Sequence, residues 1–596
     1  MSPPVSSPAR DQRPTVRLNQ GTYIGATLAE PTFPRSVDAF LGVPYATCQR
    51  LRRAELPGAS RDTFDASDYG PACPTADPSF PSDENCLNAN IFRSVTAGHE
   101  DGVQQAGVKR GKVPVLVYCH GGAFNFGRGG DRNLAAFVAF AKRDLVAVSF
   151  NYRLGPLGFL PCGIAAAEGI ANLGLLDQRT LLQWVQRNIA AFGGDEKDVT
   201  VMGFSAGKGD TNSDQLGHHL LSPPSRALFR RAILESGAPT ARSVLSSAHP
   251  RHEAQFAQFL ACASLSGVSP PEILPALRSL PLRALLHASL ATWTECAPSV
   301  QWPFQPSVDG DATEDGIIPT LPIEAWRSPS LPPPPPLITG FNTSEGTMFV
   351  PAAASSPTAL ADFFSVLIPA LTPRDLELLE SLYPPASTYP PPPTPAHGPQ
   401  FRRLAQAYGH YGYIAPLLHS AHLASLAGAP VWVYEYAAHA DLAAANHGDH
   451  VPAATHDTEV LSAHTTPGLL AVSDAMHGYW SSFATAGAAA ANDDDADDAD
   501  GPNALPNTSG VAWPRFVTPF GDAGDSAPPG SAPQGADETP RGRILVFGEG
   551  NDELMGGRGE RRRGAVARVR TLTGLEIRQF RFWWDRVGLS EGNGGC

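Results

Sequence analysis

Positive charge is scarce in this chain. There are 44 Lys and Arg against 58 Asp and Glu, a formal net charge of −14 at pH 7. No basic stripe is available to neutralise a run of phosphates, which excludes a nucleic-acid partner. The one basic cluster, Arg558 to Arg563, reads as a solvated surface turn. Long apolar runs are missing too. No stretch approaches the ~20 residues that span a bilayer, so no transmembrane segment is expected. The first ten residues lack the apolar core of a signal peptide, which points to the cytoplasm for the chain as written. Cysteine is sparse, eight in 596 residues, and none falls in a CxxC or Cys/His cluster with zinc spacing. No metal or cofactor is therefore expected. Cys119 and Cys162 lie in apolar surroundings and read as buried thiols. Cys73 and Cys86 differ, because they bracket the polar loop from Pro74 to Asn85, a sensible place for a disulfide. That pair favours export, which becomes the alternative compartment if residues precede Met1.

What the chain does have is a hydrophobic fraction of 42%, enough for a large core. Apolar runs at 113–119, 145–150, 199–203, 231–237, 336–340, 431–436 and 543–547 read as strands buried on both faces. Between the second and third, Asn172 to Ala191 carries Leu175, Leu176, Leu181, Leu182, Val185 and Ile189 at helical spacing, and Gly193 and Gly194 stop it. Strands alternating with helices imply an α/β fold with a mostly parallel sheet covered on both faces. The organisation expected is a disordered segment at 1–14 and a single domain at 15–590. Within that domain, a disordered acidic loop at about 488–510 contains the run from Asp493 to Asp500. No internal repeat is found.

The stretch Gly203-Phe-Ser-Ala-Gly207 closes the third apolar run. G-x-S-x-G after a strand is the nucleophile elbow, in which small neighbours allow a turn tight enough to lift the serine clear of the sheet. A serine nucleophile needs a base for its proton, an acid to hold the base, and backbone N–H groups aimed at the developing oxyanion. His120-Gly-Gly-Ala-Phe124 follows the strand at 113–119 and offers the N–H groups of Gly122 and Ala123, with Ala206 as a third donor. His120 itself reads as a brace for this loop. Glu345 lies in a loop at the C-terminal end of a strand, where ligands bind in parallel sheets. The base is one of six histidines in one region: His439, His447, His450, His456, His464 or His477. Order along the chain does not choose among them.

Together these residues resemble the type-B carboxylesterase family, which includes cholinesterases and large fungal lipases. Further blocks carry the resemblance: Gly21 to Gly25, Phe40 to Ala46, Asp83 to Ile91, Asn151 to Gly155, Asn172 to Gln178, His219 to Pro223, Phe229 to Gly237 and Trp513 to Phe516. It implies the α/β-hydrolase fold with large loop insertions, and it supports a Cys73–Cys86 bridge. It places Glu345 on the family's acidic position. The family's G-A-x-H-x-x-E block is matched by Ala454-Thr-His456-Asp-Thr-Glu459, which assigns His456 as base and leaves His477 structural. It also implies structural ion pairs, Arg153 with Asp177 and Glu84 with Arg52 or Arg53.

There are departures from the pattern. Phe204 stands where the family carries Glu before the nucleophile, which argues against a choline-ester specialist. The stretch from Lys208 to His218 is about five residues longer than its counterpart, either a tolerated bulge or retained intron sequence. Cys262 lacks its usual disulfide partner, since Ala276 holds that position.

The resulting expectation is a serine carboxylic ester hydrolase. Ser205, His456 and Glu345 form its triad, Gly122, Ala123 and Ala206 its oxyanion hole, and a small or medium ester is its substrate. A catalytically inactive cholinesterase-like binding protein is the rival from another class. Within enzymes, a lipase or a tailoring esterase or thioesterase of secondary metabolism stays open. The sequence sets no oligomeric state.

Overall fold

The computed structural model describes residues 13–75, 80–95, 111–204, 213–241, 244–310, 316–486, 501–521 and 540–590. Its centre is an eleven-stranded sheet. In chain order the strands are β1 (Ala26–Leu28), β2 (Val37–Pro44), β3 (Asn88–Ser94), β4 (Val113–Cys119), β5 (Val146–Phe150) and β6 (Gly194–Phe204), followed by β7 (Arg231–Glu235), β8 (Leu337–Asn342), β9 (Val431–Tyr436), β10 (Arg543–Phe547) and β11 (Ala567–Thr571). Their spatial order is β11-β10-β9-β8-β7-β6-β4-β5-β3-β2-β1. The run from β5 to β10 is parallel, and both margins are antiparallel.

The all-apolar strands have a simple cause. On β4, Val115, Val117 and Cys119 join one buried cluster, while Leu116 and Tyr118 join the other. Successive side chains leave opposite faces of a strand, so a sheet covered on both sides needs apolar residues at every position. The helix expected after β5 spans Leu173–Asn188, continues as a 3-10 turn Ile189–Phe192, and ends at Gly193 with φ 90°. Glycine reaches that left-handed conformation without strain. A second, small sheet joins Thr15–Leu18, Gly21–Ile24 and Thr63–Asp65.

The Cys73–Cys86 disulfide is formed, and Cys119 and Cys162 are buried free thiols. Arg153 and Asp177 make the expected buried pair, with Nε and Nη2 at 2.7 and 2.6 Å from the carboxylate. Glu84 differs from expectation. Its partner is Arg50, which reaches it through Nε and Nη2 at 2.7 and 2.5 Å and also caps the carbonyl of Leu277. Arg52 instead lies 3.7 Å from Glu168.

The acidic run Asp493 to Asp500 lies outside the described residues, as do residues 1–12. Residues 501–510, expected to belong to the disordered acidic loop, are packed. Leu505 N–H donates to Ser482 Oγ, and Asn507 Nδ2 donates to the carbonyl of Ala475. No helix among the described residues is long and apolar enough to cross a membrane.

Candidate active site

The site is built where the parallel strands end. β6 finishes at Phe204; Ser205 and Ala206 lie outside the described residues, as does Lys208 to Asn212. The helix Ser213–Leu221 follows, with Gln215, Leu216, His218 and His219 buried. The latter part of the lengthened stretch is therefore core. Gln215 Nε2 donates to Tyr152 Oη at 2.8 Å, and its carbonyl oxygen accepts from the Cys119 thiol at 3.1 Å. The elbow helix is thus bonded to the end of β4, where the glycine turn begins.

At its second glycine that turn adopts a conformation only glycine tolerates. Gly122 has φ 129°, and a Cβ placed on it would lie 1.8 Å from the carbonyl oxygen of Phe126. Ala123 and Phe124 follow with φ 51° and 62°. The Gly122 carbonyl accepts from Asn125 and Phe126 N–H, and the Ala123 carbonyl from Asn125 Nδ2 at 2.7 Å. With the carbonyls engaged, the N–H groups of Gly121, Gly122 and Ala123 find no acceptor among the described residues. His120 is the expected brace. Its ring stacks on Tyr152 at 4.4 Å, its Nδ1 meets the Gly121 carbonyl at 2.8 Å, and burial holds its pKa down at about 4.

Glu345 is fully buried in the loop after β8. Asn342 N–H donates to its Oε1 at 2.6 Å, and its Oε2 receives a short hydrogen bond from Nδ1 of His447. Gly346 is required beside it, because a Cβ there would sit 1.9 Å from the Ala405 carbonyl. His447 lies in the loop after β9, and that loop is stitched to the loop of the acid. Ser344 N–H donates to the Ala445 carbonyl, Asn342 Nδ2 to the Asn446 carbonyl at 2.5 Å, and Thr347 Oγ1 to Asn446 Oδ1 at 2.8 Å. Glu345 and His447 therefore belong to one bonded unit. With Nδ1 held by the carboxylate, Nε2 of His447 has no hydrogen-bond partner among the described residues.

His456, the base expected from sequence, is placed elsewhere. It caps the short helix Val451–Thr455 with φ 58°, its Nδ1 pairs with Ser473 Oγ at 2.9 Å, and its ring lies 4.1 Å from Phe140. Glu345 is paired with His447 instead, and burial lowers the pKa of His456. His477 meets the Phe137 carbonyl at 3.0 Å, a structural contact as expected. A signal for His447 was present in the sequence. Ala444-Ala-Asn-His447-Gly-Asp-His450-Val also fits the family block once its final acid is allowed to vary.

His447, Gly121, Gly122 and Phe204 open on a cavity of about 1120 Å³. Its outer wall includes Phe80, Leu290 and Met348, which stay 39%, 43% and 43% exposed. Asp449 also lines it and accepts from Asn446 N–H at 2.7 Å; burial raises its pKa to about 7. Among the described residues no group of three or more His, Cys, Asp or Glu could hold a metal.

A parallel sheet with a buried acid–base pair and a glycine turn at its strand ends is the frame of an α/β-hydrolase. The chain belongs to the carboxylesterase family, whose family model matches residues 12–522. It is 32% identical over 487 residues to secreted lipase 4 of Gibberella zeae, covering 78% of this chain and 82% of that one. It is 36% identical over 224 residues to the para-nitrobenzyl esterase of Bacillus subtilis, 35% of this chain and 41% of that one. The crystal structure of Aspergillus niger EstA superposes with a TM-score of 0.74 at 23% identity, over 98% of this chain and all of that one, a likeness that shows the fold. The enzyme is a carboxylic ester hydrolase.

Proposed function

We propose that hydrolysis runs through a triad of Ser205, His447 and Glu345 and an acyl-enzyme intermediate. The observation that carries this reading is the buried Glu345–His447 pair at the ends of β8 and β9. Ser205 follows directly on β6, two strands from β8. Ser205 Oγ attacks the ester carbonyl, and its proton passes to Nε2 of His447. Glu345 holds the opposite ring nitrogen and stabilises the imidazolium. The N–H groups of Gly122, Ala123 and Ala206 receive the oxyanion, each worth about 3 kcal/mol of transition-state stabilisation. The protonated base releases its proton to the leaving alcohol. Water then attacks the acyl-enzyme by the same route, freeing the acid and regenerating Ser205.

The substrate class is a small or medium uncharged ester. The cavity supports it, since Phe204 lines it with an apolar ring where the family pattern has Glu. Residues 15–590 act as one catalytic domain, a reading supported by strands from 26 to 571 sharing one sheet. Export is the favoured compartment. The Cys73–Cys86 bond is of a kind that persists in oxidising surroundings, and one relative is a secreted lipase.

The test compares Ser205→Ala, His447→Ala and His456→Ala on a p-nitrophenyl ester. The first two lower kcat by about 10⁴-fold or more, and the third leaves it within about threefold. Loss of turnover in His456→Ala with retention in His447→Ala reverses the assignment of the base.

A further inference from the structure

Three aromatic rings enclose the imidazole of His447. Tyr413 lies 4.7 Å away at 45°, Phe204 5.3 Å away at 29°, and Phe349 5.7 Å away at 70°. Of these, only Phe204 is carried by β6, the strand that leads to Ser205. The same ring meets His450 edge-on at 5.0 Å, and its Cζ stands 3.1 Å from where a Cβ on Gly448 would lie. One side chain thus touches the base loop at residues 447, 448 and 450. Gly448, at φ 89°, is the residue that lets the loop fold against it.

From this packing we propose that Phe204 is a positioning residue for the base. It fixes the plane of the His447 ring relative to β6. Its π face, stacked on that ring, also favours the positive charge that arrives when the base takes the nucleophile's proton. The ring has a second effect, as a partition between two buried acid–histidine pairs. On one side Glu345 holds Nδ1 of His447; on the other Glu235 Oε2 lies 3.8 Å from Nε2 of His450. Two further acids stand in the loop, Asp441 and Asp449, and the Asp449 carboxyl is turned onto the Asn446 backbone and side-chain amides. An apolar ring at 204 keeps His450 and Glu235 from competing for the base. A carboxylate at that position would offer the imidazolium direct charge; the aromatic face offers the weaker quadrupole and a rigid contact.

The proposal rests on His447 being the base, so His447→Ala accompanies the Phe204 variants. Phe204→Leu removes the ring and keeps an apolar filling; Phe204→Tyr keeps the ring. With a soluble p-nitrophenyl ester, Phe204→Leu lowers kcat about tenfold with KM held within about twofold, and slows covalent labelling by a fluorophosphonate by a similar factor. Phe204→Tyr retains at least about half of wild-type kcat. Phe204→Met serves the same comparison if the leucine variant fails to fold. Wild-type kcat in the leucine or methionine variant, a loss carried by KM alone, or equal damage from leucine and tyrosine overturns the proposal. Retained turnover in His447→Ala overturns the assignment of the base beneath it.

Discussion

Arg132 and Glu235 face each other without solvent access, the guanidinium giving two hydrogen bonds to the carboxylate at 2.5 and 3.1 Å. Trp480 Nε1 adds a third at 2.7 Å. Glu235 ends β7, in register with Phe204 on β6, so this pair forms part of the floor beneath the site. Burial alone would raise the Glu235 pKa; the Arg132 guanidinium and the neighbouring His450 together outweigh it and hold the pKa down at about 2. A carboxylate depressed in this way contributes stability that is fully present above its unfolded value near 4.3 and is lost as pH falls toward 2.

Removing one partner leaves the other charged and buried without its counter-ion. Arg132→Met is expected to destabilise by about 3–5 kcal/mol, and Glu235→Gln by somewhat less because Trp480 keeps an acceptor. Urea or thermal unfolding at pH 7 measures both. An Arg132→Met protein as stable as wild type contradicts the account of the floor.

Asp449 makes the opposite pH prediction. Burial raises its pKa to about 7, so the folded state holds a proton that the unfolded chain has released. Stability from this group is full below about pH 4 and is lost as pH rises to about 7, a fall of a few kcal/mol. Asp449→Asn, which keeps an acceptor for Asn446, is expected to flatten that slope. Melting temperatures of both proteins between pH 5 and 8 provide the comparison, and parallel curves refute it.

The glycine turn can be tested by one methyl group. A Cβ at residue 122 would collide with the Phe126 carbonyl, so Gly122→Ala forces the turn open. The expected result is a loss of about 10²- to 10³-fold in kcat, the cost of a misplaced oxyanion donor. The loss should exceed what any fall in melting temperature explains. Unchanged kcat would remove this turn from the oxyanion hole.

The disulfide closes a short loop, with Cys73 and Cys86 only 13 positions apart in the chain. Replacing both by serine is expected to cost about 2–4 kcal/mol, mostly by freeing the unfolded chain. Unfolding midpoints with and without reductant should differ for the wild type and coincide for the double variant.

Much of the frame was legible in the sequence for one reason. Strands buried on both faces must be apolar throughout, and seven such runs became β4 to β10. β11, with the sequence Ala-Arg-Val-Arg-Thr, escaped notice because it is a half-buried antiparallel edge and pairs two arginines with Glu435 and Glu549. The acid was legible because Glu345 needs Gly346 beside it, and that requirement leaves a two-residue mark. The proposed base, His447, was not. Its block ends in His450 where the family pattern has an acid, while Ala454 to Glu459 offers a closer match on an unrelated turn. What separates the two histidines is the hydrogen bonding of Asn342 and Asn446 across 104 residues, which no local pattern encodes.

The stitching of the two loops divides the machinery unequally. Acid and base are carried by neighbouring strands and cross-linked by their own backbone, so they assemble without help from the nucleophile. Among the described residues, the strand leading to the elbow meets them through Phe204, against His447, Gly448 and His450. A chain built this way can drift at the elbow while its acid–base half stays intact, and a descendant that lost the serine would inherit a finished pocket already lined for an ester. In such a lineage catalysis is the dispensable layer, and recognition is the one written into the frame.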